Sequence, residues 1–344
     1  MGKVSRRNFL KDSLLFASSS FFLSSEYITT SANAFLAGQK EGRNYPSYLK
    51  LEEKGILSER IKKLYSIYES CHLCPRDCRV NRTKGEIGKC QASAKVKVSS
   101  SLPHFGEEAP LAGKKGSGTI FFSNCSLRCV YCQDYKISIE GEGEEISDEK
   151  LAEIMIELQR RGCHNINLVT PTHYTPNMVN ALQKAIKKGL RIPLVYNTGG
   201  YETLETLQLL DGVIDIYLSD CKYMDPKHAA KYSDEAYNYP YQVKIALKEM
   251  YRQVEDLKVN EKGIAVRGLI IRHLVLPNRI AGTEEFLKFV AENLSKTSYI
   301  HIMSHYRPEY KAIEYPKIAR RIKKSEYAEA LGWAKKYGLN RLAK

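Results

Sequence analysis

The sequence contains the stretch Gly118-Thr-Ile-Phe-Phe-Ser-Asn-Cys-Ser-Leu-Arg-Cys-Val-Tyr-Cys132. Its first five residues are mostly apolar or β-branched and predict a short buried strand. Three cysteines follow this strand directly, with the spacing C-x₃-C-x₂-C. Parallel β/α folds place their functional loops at the carboxyl ends of strands, so this stretch predicts such a fold with a ligand-bearing first loop.

Further apolar runs on either side of this loop predict a mainly parallel sheet. The six candidate strands span residues 118–122, 165–169, 192–196, 214–218, 269–276 and 299–303. Helix signals lie between them: Ser147 can cap one helix, and Thr175-Pro176 opens another that ends near Gly189. Six β/α units are too few for a closed eight-stranded barrel. We therefore expect an α/β fold, an open partial (β/α)6 barrel of parallel strands.

The chain divides into four expected segments. Residues 1–34 form a twin-arginine-type signal peptide, and residues 35–110 form a linker, an amphipathic helix over 57–69 and a small Cys-rich metal-binding lobe. Residues 111–310 form the partial barrel. Residues 311–344 form C-terminal helices, of which 327–339 is the clearest.

The expected signal peptide begins with basic residues that include Arg6 and Arg7, followed by an apolar and small-residue run over 13–25. Ala32-Asn33-Ala34 then provides a cleavage pattern. The paired arginines resemble the twin-arginine export signal of bacteria. This predicts the twin-arginine translocase as a partner, and export or membrane association on the periplasmic side. Retention in the cytoplasm is the alternative.

The formal net charge of +14 and pI near 9.2 raise the question of a nucleic-acid partner. The basic residues are scattered through apparent helices, as at Lys184, Lys187 and Lys188, and do not form one stripe. This distribution favours solvated helix faces. No nucleic-acid partner is predicted.

Seven of the nine cysteines fall into two tight groups, while Cys163 and Cys221 stand alone and are expected to be buried thiols. Short C-x-x-C spacings favour metal or cluster ligation over a disulfide framework. The first group, with the spacing C-x₂-C-x₃-C-x₁₁-C, consists of Cys71, Cys74, Cys78 and Cys90. Four thiolates complete a closed site that fits either zinc or a second iron–sulfur cluster. A closed cluster could relay electrons, whereas zinc would only stabilise the lobe.

The second group is the triplet Cys125, Cys129 and Cys132. Three thiolates on one loop can hold three corners of an iron–sulfur cube and leave the fourth iron open for a cofactor. Zinc ligation and reduced core cysteines are the alternatives. With an aromatic residue, Tyr131, before the third cysteine, the motif resembles that of the radical S-adenosylmethionine superfamily.

This resemblance implies a [4Fe-4S] cluster whose open iron binds S-adenosyl-L-methionine. One electron from the cluster then cleaves the cofactor into methionine and a 5′-deoxyadenosyl radical that abstracts hydrogen from a substrate. Cys125, Cys129 and Cys132 would be the catalytic cluster ligands, and Tyr131 and Gln133 would lie beside the adenine.

A closer resemblance extends over about residues 71–339, to the iron–sulfur relatives of the pyruvate formate-lyase-activating enzyme. It is carried by Cys71-His-Leu-Cys-Pro-Arg-Asp-Cys-Arg-Val-Asn-Arg82, by Val195-Tyr-Asn-Thr-Gly-Gly-Tyr-Glu202 and by the stretches 162–173, 215–223 and 267–277. It implies an anaerobic oxidoreductase with an electron donor such as flavodoxin or ferredoxin. The substrate, a protein or a small molecule, is not implied; activation of a glycyl radical enzyme is one candidate.

Four residues at the ends of strands each match one residue of the activating enzyme. Asp220 and Lys222 correspond to its Asp-x-Lys pair at the fourth strand, where an ammonium group could bind the carboxylate of S-adenosylmethionine. Arg272 aligns with an arginine on the fifth strand, and His305 aligns with a histidine after the sixth. The alternatives are that Asp220 and Lys222 form an ordinary surface ion pair and that His305 is an ordinary polar residue.

Two departures from that pattern change the expected cofactor contacts. Thr170-Pro171-Thr172-His173 replaces the Gly-Gly-Glu motif that binds the amino group of S-adenosylmethionine, so hydroxyls of Thr170 and Thr172, backbone carbonyls or His173 must serve. Asn197 replaces an aspartate and is followed by the matching Thr198.

A non-catalytic iron–sulfur binding or electron-transfer protein on the same fold is the alternative function. The Asp220–Lys222 pair and the open cluster position favour catalysis.

Overall fold

Nine strands form the sheet in the part of the chain that the structure describes. In chain order they are β1 (Val96–His104), β2 (Ser117–Phe122), β3 (Glu144–Ile146), β4 (Ile166–Val169), β5 (Leu194–Thr198), β6 (Ile216–Asp220), β7 (Lys258–Val259), β8 (Ala265–Leu274) and β9 (Tyr299–Met303). The computed structural model describes residues 46–343. The predicted signal peptide, residues 1–34, lies outside the described residues.

Six of these strands are parallel and follow one another across the sheet in chain order: β2, β4, β5, β6, β8 and β9. The antiparallel strands β1 and β3 extend the sheet beyond β2, and the short β7 pairs with the beginning of β8. Within residues 46–343, β9 does not pair with the strands at the opposite edge. The sheet is therefore open, and the predicted partial (β/α)6 barrel is confirmed.

Parallel strands need long crossovers, and helices provide them here. The described α-helices are α1 (Ser47–Glu53), α2 (Ile56–Ser66), α3 (Ala109–Ala112), α4 (Tyr135–Ser138), α5 (Asp148–Arg160), α6 (Thr175–Lys187), α7 (Leu204–Leu209), α8 (Pro226–Tyr232), α9 (Tyr239–Val254), α10 (Thr283–Asn293) and α11 (Lys324–Lys336). The hydroxyl of Ser147 accepts a hydrogen bond from the Lys150 amide and caps α5, as expected. None of the described helices is long and apolar enough to cross a membrane.

Two strands begin two residues later than the sequence predicts: β5 starts at Leu194 and β6 at Ile216. Pro193 has no amide hydrogen for the ladder, and the Asp215 carboxylate accepts the Leu194 amide at 3.0 Å as part of the turn. The shift matters because it places Asn197, Thr198 and Asp220 on strands, where the ladder holds their backbone rigidly.

Strand β1 was not predicted from the sequence. It lies before residue 110 but belongs to the sheet, so the expected boundary at residue 110 does not separate a lobe from the barrel. Residues 96–104 pair with β2 over most of their length, although the serines at 99–101 conceal the apolar alternation. The loop after β1 then closes the bottom of the barrel. Its Leu111 packs in the interior with Val195, Leu218 and Ile270.

The C-terminal segment contains less helix than expected. A short 3₁₀ turn spans Ala312–Glu314, and α11 ends at Lys336, before the positive-φ Gly338. The chain then returns to the open edge of the sheet, where Leu342 bridges Ile300 of β9 in parallel.

Candidate active site

The cysteine triplet lies on the loop between β2 and α4. Two non-glycine residues in the left-handed region, Asn124 and Arg128, turn the backbone around the first two cysteines. The Asn124 amide donates to the Ile137 carbonyl at 2.9 Å, and the Val130 amide donates to the Tyr232 carbonyl at 2.9 Å. The loop shape is therefore held by contacts on both sides.

Each sulfur of the triplet has one hydrogen-bonding neighbour. The Leu127 amide donates to Cys125 Sγ at 3.4 Å. The hydroxyls of Ser233 and Ser138 lie 3.0 Å from Cys129 Sγ and Cys132 Sγ, respectively. Burial raises the pKa of the Cys129 thiol, and it raises that of Cys132 to about 12. Thiolates here therefore need a cationic partner such as cluster iron.

A cavity of about 280 Å³ opens next to the triplet, at the carboxyl ends of the strands. Twelve of the residues that the sequence predicts for cluster and cofactor line it: Cys125, Cys129, Tyr131, Cys132, Gln133, Thr170, Asn197, Thr198, Asp220, Lys222, Arg272 and His305. Side chains from all six parallel strands or the loops after them therefore meet at one place.

The charged part of this cavity is built on one pair of neighbouring strands. Asp220 of β6 is the register partner of Arg272 of β8, and Arg272 Nε donates to Asp220 Oδ1 at 2.7 Å. Lys222 Nζ donates to the other oxygen, Oδ2, at 2.8 Å. Burial by itself would raise the pKa of Asp220, but the two cations lower it to about 2. The carboxylate is charged at any physiological pH and holds both cations in place.

Glu107, from the loop below the barrel, completes this charged group and was not predicted from the sequence. Its Oε2 lies 3.4 Å from Arg272 Nη1, and its Oε1 accepts from Asn167 Nδ2 at 3.0 Å. Arg272 Nη2 also donates to Asn197 Oδ1 at 2.7 Å. Asn197 therefore orients a guanidinium group, a role that an amide oxygen performs without adding another negative charge.

Thr172 lies outside the cavity, in contrast to Thr170. The backbone of Thr170 adopts a left-handed φ of 58°, and the following 3₁₀ turn directs Thr172 behind the wall. There the Thr172 hydroxyl donates to Glu202 Oε1 at 2.7 Å, and the Thr198 hydroxyl donates to the same oxygen. Glu202 thus joins the loop after β4 to the end of β5.

His173 is also directed away from the cavity. Its ring is buried, and Nε2 lies 2.8 Å from the Ser123 carbonyl oxygen, to which the neutral ring donates. Burial lowers the pKa of His173 to about 3. Its side chain supports the end of β2 and makes no direct contact with the cavity, so the cofactor contact that we considered for it has no geometric basis.

The remaining predicted residues take different positions around the cavity. Tyr131 is buried and packs edge-on against Tyr223 and Tyr306, with ring centroids 6.3 and 5.8 Å away. Gln133 and His305 are exposed at the mouth. Tyr131 is thus a fixed aromatic wall, whereas the two mouth residues can reach a molecule that enters from solvent.

The four-cysteine group, Cys71, Cys74, Cys78 and Cys90, lies beside this site and not in the cavity. Its lobe docks on the first turn of α7, where the Leu73 carbonyl accepts from the Thr206 hydroxyl at 3.0 Å. All nine cysteines are free thiols in the structure. Within residues 46–343, no three His, Cys, Asp or Glu side chains form a ready-made site for a single metal ion. A cluster imposes a different spacing, because each thiolate binds its own iron.

Glu202 makes the stability of the folded protein depend on pH. It is fully buried, its Oε2 has no hydrogen-bond partner in the described structure, and burial raises its pKa to about 7. Because the folded state keeps the proton that the unfolded state releases, stability falls as the pH rises from about 4.5 to 7. The total cost is on the order of 3 kcal/mol.

We therefore expect the Glu202→Gln variant to gain stability over the wild type as the pH rises from 5 to 7.5, measured as the difference in urea midpoint. The exposed Glu205, on the same turn, provides the control variant Glu205→Gln. A Glu202→Gln difference that is the same at every pH would contradict a raised pKa at Glu202.

Comparison with known proteins agrees with this geometry. The family model described as the radical SAM superfamily matches residues 119–239, which include the triplet, Asp220 and Lys222. The uncharacterized protein MJ0674 of Methanocaldococcus jannaschii is 33% identical over 300 residues, 85% of this chain and 82% of that protein. The uncharacterized protein MJ0808 of the same organism is 24% identical over 269 residues, 72% of this chain and 73% of that protein.

The family match covers the loop that carries the three cysteines and the parallel strands from β2 to β6, and the first relative extends the similarity to most of the chain. This chain belongs to the radical SAM superfamily.

Proposed function

We propose that the cavity at the carboxyl ends of the strands binds a [4Fe-4S] cluster through Cys125, Cys129 and Cys132, and S-adenosylmethionine beside it. Membership in the superfamily implies these two cofactors. When bound, they supply a 5′-deoxyadenosyl radical that abstracts hydrogen from a substrate. The observation that carries the proposal is that the cysteine triplet and the Asp220, Lys222 and Arg272 group line one cavity.

The donor set fits a cluster with one iron left open. The three sulfurs of the triplet line the cavity, and each has a hydrogen-bonding neighbour that can stabilise a thiolate. A further cysteine, Cys221, is at the cavity wall, but its thiol donates to the Met224 sulfur at 3.7 Å. Three protein ligands remain, which is the number that leaves one iron for the cofactor.

Lys222 is placed to bind the carboxylate of the cofactor. Burial by itself would lower the pKa of this ammonium group, but Asp220 raises it, so the group stays charged. Asp220 holds Lys222 by one oxygen and Arg272 by the other, and both cations line the cavity. Asp220 is therefore a positioning residue, and the cations provide the charge that an anionic ligand needs.

The ends of β4 and β5 provide polar groups for the amino end of the cofactor. Thr170 and Thr198 line the cavity, and Glu202 fixes the Thr198 hydroxyl from behind. Gly200 makes this arrangement possible, because a Cβ at this positive-φ position would lie 2.7 Å from the Asp220 carbonyl oxygen. The turn after β5 can therefore approach the end of β6 closely.

Apolar side chains line the rest of the cavity and limit the access of water. They include Leu127 on the cysteine loop, Leu274 at the end of β8 and Met303 at the end of β9. A reactive organic radical needs such surroundings, because an unintended hydrogen donor would consume it. The substrate enters from the mouth, where Gln133 and His305 are exposed.

The alternative is a non-catalytic iron–sulfur protein on the same fold. An electron carrier has no use for three linked charged side chains beside its cluster, and this arrangement supports catalysis. The two functions differ in one product: only the enzyme forms 5′-deoxyadenosine.

We expect the anaerobically reconstituted protein to form 5′-deoxyadenosine from S-adenosylmethionine and dithionite, and the Cys129→Ala variant to form none. Lys222→Met should weaken S-adenosylmethionine binding by about tenfold to hundredfold, the loss typical of a hydrogen bond between charged groups. The exposed Lys227 on α8 provides the control variant Lys227→Met, which should bind normally. An intact cluster that yields no 5′-deoxyadenosine would exclude the catalytic function.

The substrate that we propose is a protein segment of a glycyl radical enzyme, as for the activating enzyme that this chain resembles. The exposed mouth of the cavity supports this, because Ser304 and His305 are accessible to a large partner. We expect the reconstituted enzyme, S-adenosylmethionine and a purified glycyl radical enzyme to produce a glycyl radical signal in the electron paramagnetic resonance spectrum. If the partner is intact and no signal forms, this substrate is wrong.

We also propose that residues 1–34 direct the chain to the twin-arginine translocase. We expect a fusion of this segment to a reporter that is active only after export to be exported. The Arg6→Lys, Arg7→Lys double variant should block that export, because the pathway recognises the paired arginines. Export of both fusions alike, or of neither, would contradict the proposal.

A further inference from the structure

The four cysteines of the N-terminal lobe come together through a tight local fold. The Cys71 amide donates to the Val80 carbonyl at 2.9 Å, and the Arg79 amide donates back to the Cys71 carbonyl at 3.0 Å. Gly88 closes the loop, because a Cβ there would lie 3.0 Å from Cys78 Sγ. Electrostatic interactions connect the Cys74 sulfur with those of Cys71, Cys78 and Cys90.

Each sulfur of this group lies near an N–H group. The Lys89 amide donates to Cys78 Sγ at 3.4 Å. The amides of Arg76 and Ala92 lie near the sulfurs of Cys74 and Cys90, and the Arg82 guanidinium lies near that of Cys71. Neutral thiols are weak acceptors, whereas metal-bound thiolates accept such bonds readily. The pattern is that of an anionic four-thiolate centre.

Arg82 gives the strongest indication of negative charge. Its side chain is 2% exposed, and its guanidinium lies over the Tyr68 ring at 4.0 Å. Among the residues that the structure describes, Arg82 forms no ion pair, its other acceptors are two carbonyl oxygens, and its Nε has no hydrogen-bond partner. A buried cation needs a compensating anion. A cluster with four thiolate ligands has a net charge of about −2 when oxidised and about −3 when reduced, and would provide that charge.

One arginine connects this lobe with the cysteine triplet. Arg76 lies between Cys74 and Cys78, and its Nε donates to the Ser126 carbonyl at 2.8 Å, inside the triplet loop. Its Nη2 donates to the Ser233 carbonyl at 2.9 Å, and the Ser233 hydroxyl lies 3.0 Å from Cys129 Sγ. Two residues therefore span the distance between the two cysteine groups.

We propose that Cys71, Cys74, Cys78 and Cys90 hold a second [4Fe-4S] cluster, fully ligated by protein, that passes single electrons to the cluster at Cys125, Cys129 and Cys132. A reduced low-potential flavin or iron–sulfur protein supplies one electron, which takes the lobe cluster from the 2+ to the 1+ state. The same electron then reduces the open cluster and returns the lobe cluster to 2+. The receiving cluster belongs to the proposed function, whereas the existence of the lobe cluster does not depend on it.

A zinc ion would also bind four thiolates, but it has no redox chemistry. A zinc ion would stabilise the lobe, but the hydrogen bonds that connect the lobe with Cys129 would then have no function. A cluster that passes electrons explains the group of four cysteines, the burial of Arg82 beside it and the contact of Arg76 with the triplet loop. Cys78 is the least buried of the four cysteines, so the donor protein can approach on that side.

The first test is the Cys125→Ala, Cys129→Ala, Cys132→Ala triple variant, which removes the open site and keeps the lobe. After anaerobic reconstitution we expect about four iron and four sulfide per chain, compared with about eight of each in the wild type. The dithionite-reduced triple variant should give a cluster signal that S-adenosylmethionine does not change. Zinc or no metal in the triple variant would overturn the proposal, whether or not the wild type cleaves S-adenosylmethionine.

A second test uses Arg82 as the counter-charge. In the triple-variant background, Arg82→Met should lower the midpoint potential of the lobe cluster, because losing a positive charge disfavours the reduced, more negative state. Arg82→Lys should retain most of the potential. Arg79, next to Cys78 but exposed, provides the control variant Arg79→Met, which should have a much smaller effect. Equal potentials for Arg82→Met and Arg79→Met would exclude Arg82 as the counter-charge.

The third test addresses the electron path. Dithionite is small enough to reduce the open cluster directly, whereas reduced flavodoxin must deliver its electrons through the lobe. For Arg76→Met we expect the ratio of flavodoxin-driven to dithionite-driven 5′-deoxyadenosine formation to fall about tenfold, the usual effect of removing a residue that supports a metal site. An unchanged ratio would show that electrons reach the open cluster by another route.

Discussion

The structure depends on the parallel pairing of β6 with β8, which sets Asp220 beside Arg272. A half-buried carboxylate with two cations is stable only when their geometry is fixed, because unpaired charges in such a place cost several kcal/mol. The ladder provides that geometry: one carboxylate oxygen binds the guanidinium and the other binds the Lys222 ammonium. The position of the cavity and its place beside the cysteine loop both follow from this register.

The surrounding residues keep this charged group balanced. Glu107 enters from below the barrel and approaches Arg272, and Asn197 accepts a hydrogen bond from the same guanidinium. Two carboxylates, Asp220 and Glu107, therefore offset two cations, so the barrel interior carries no large net charge before a ligand binds. On the other side, Glu202 is a buried carboxyl group that stays neutral below its raised pKa of about 7, and it holds two threonine hydroxyls.

Arg76 and Ser233 connect the two cysteine groups through hydrogen bonds. Arg76 lies within the first group and binds the backbone beside the second, so the lobe cannot shift without disturbing the triplet loop. The same lobe holds a buried arginine that has aromatic and carbonyl neighbours and forms no ion pair within residues 46–343. Both features follow directly if the lobe carries a negatively charged redox centre close to the site of S-adenosylmethionine cleavage.

By itself, the sequence determined the six β/α units, the open barrel and the two groups of cysteines. These signals are local: apolar strand runs, capping residues and short cysteine spacings act within a few residues. Asp220 and Lys222 could also be named, because they match the Asp-x-Lys pair of the activating enzyme that the chain resembles. Only the tertiary structure decided the positions of Glu107, Arg82 and Glu202. Glu107 and Arg272 are 165 residues apart in the chain, and Thr172 reaches Glu202 only because the loop after β4 turns behind the cavity wall. Contacts between distant segments depend on register and burial, which no local pattern encodes.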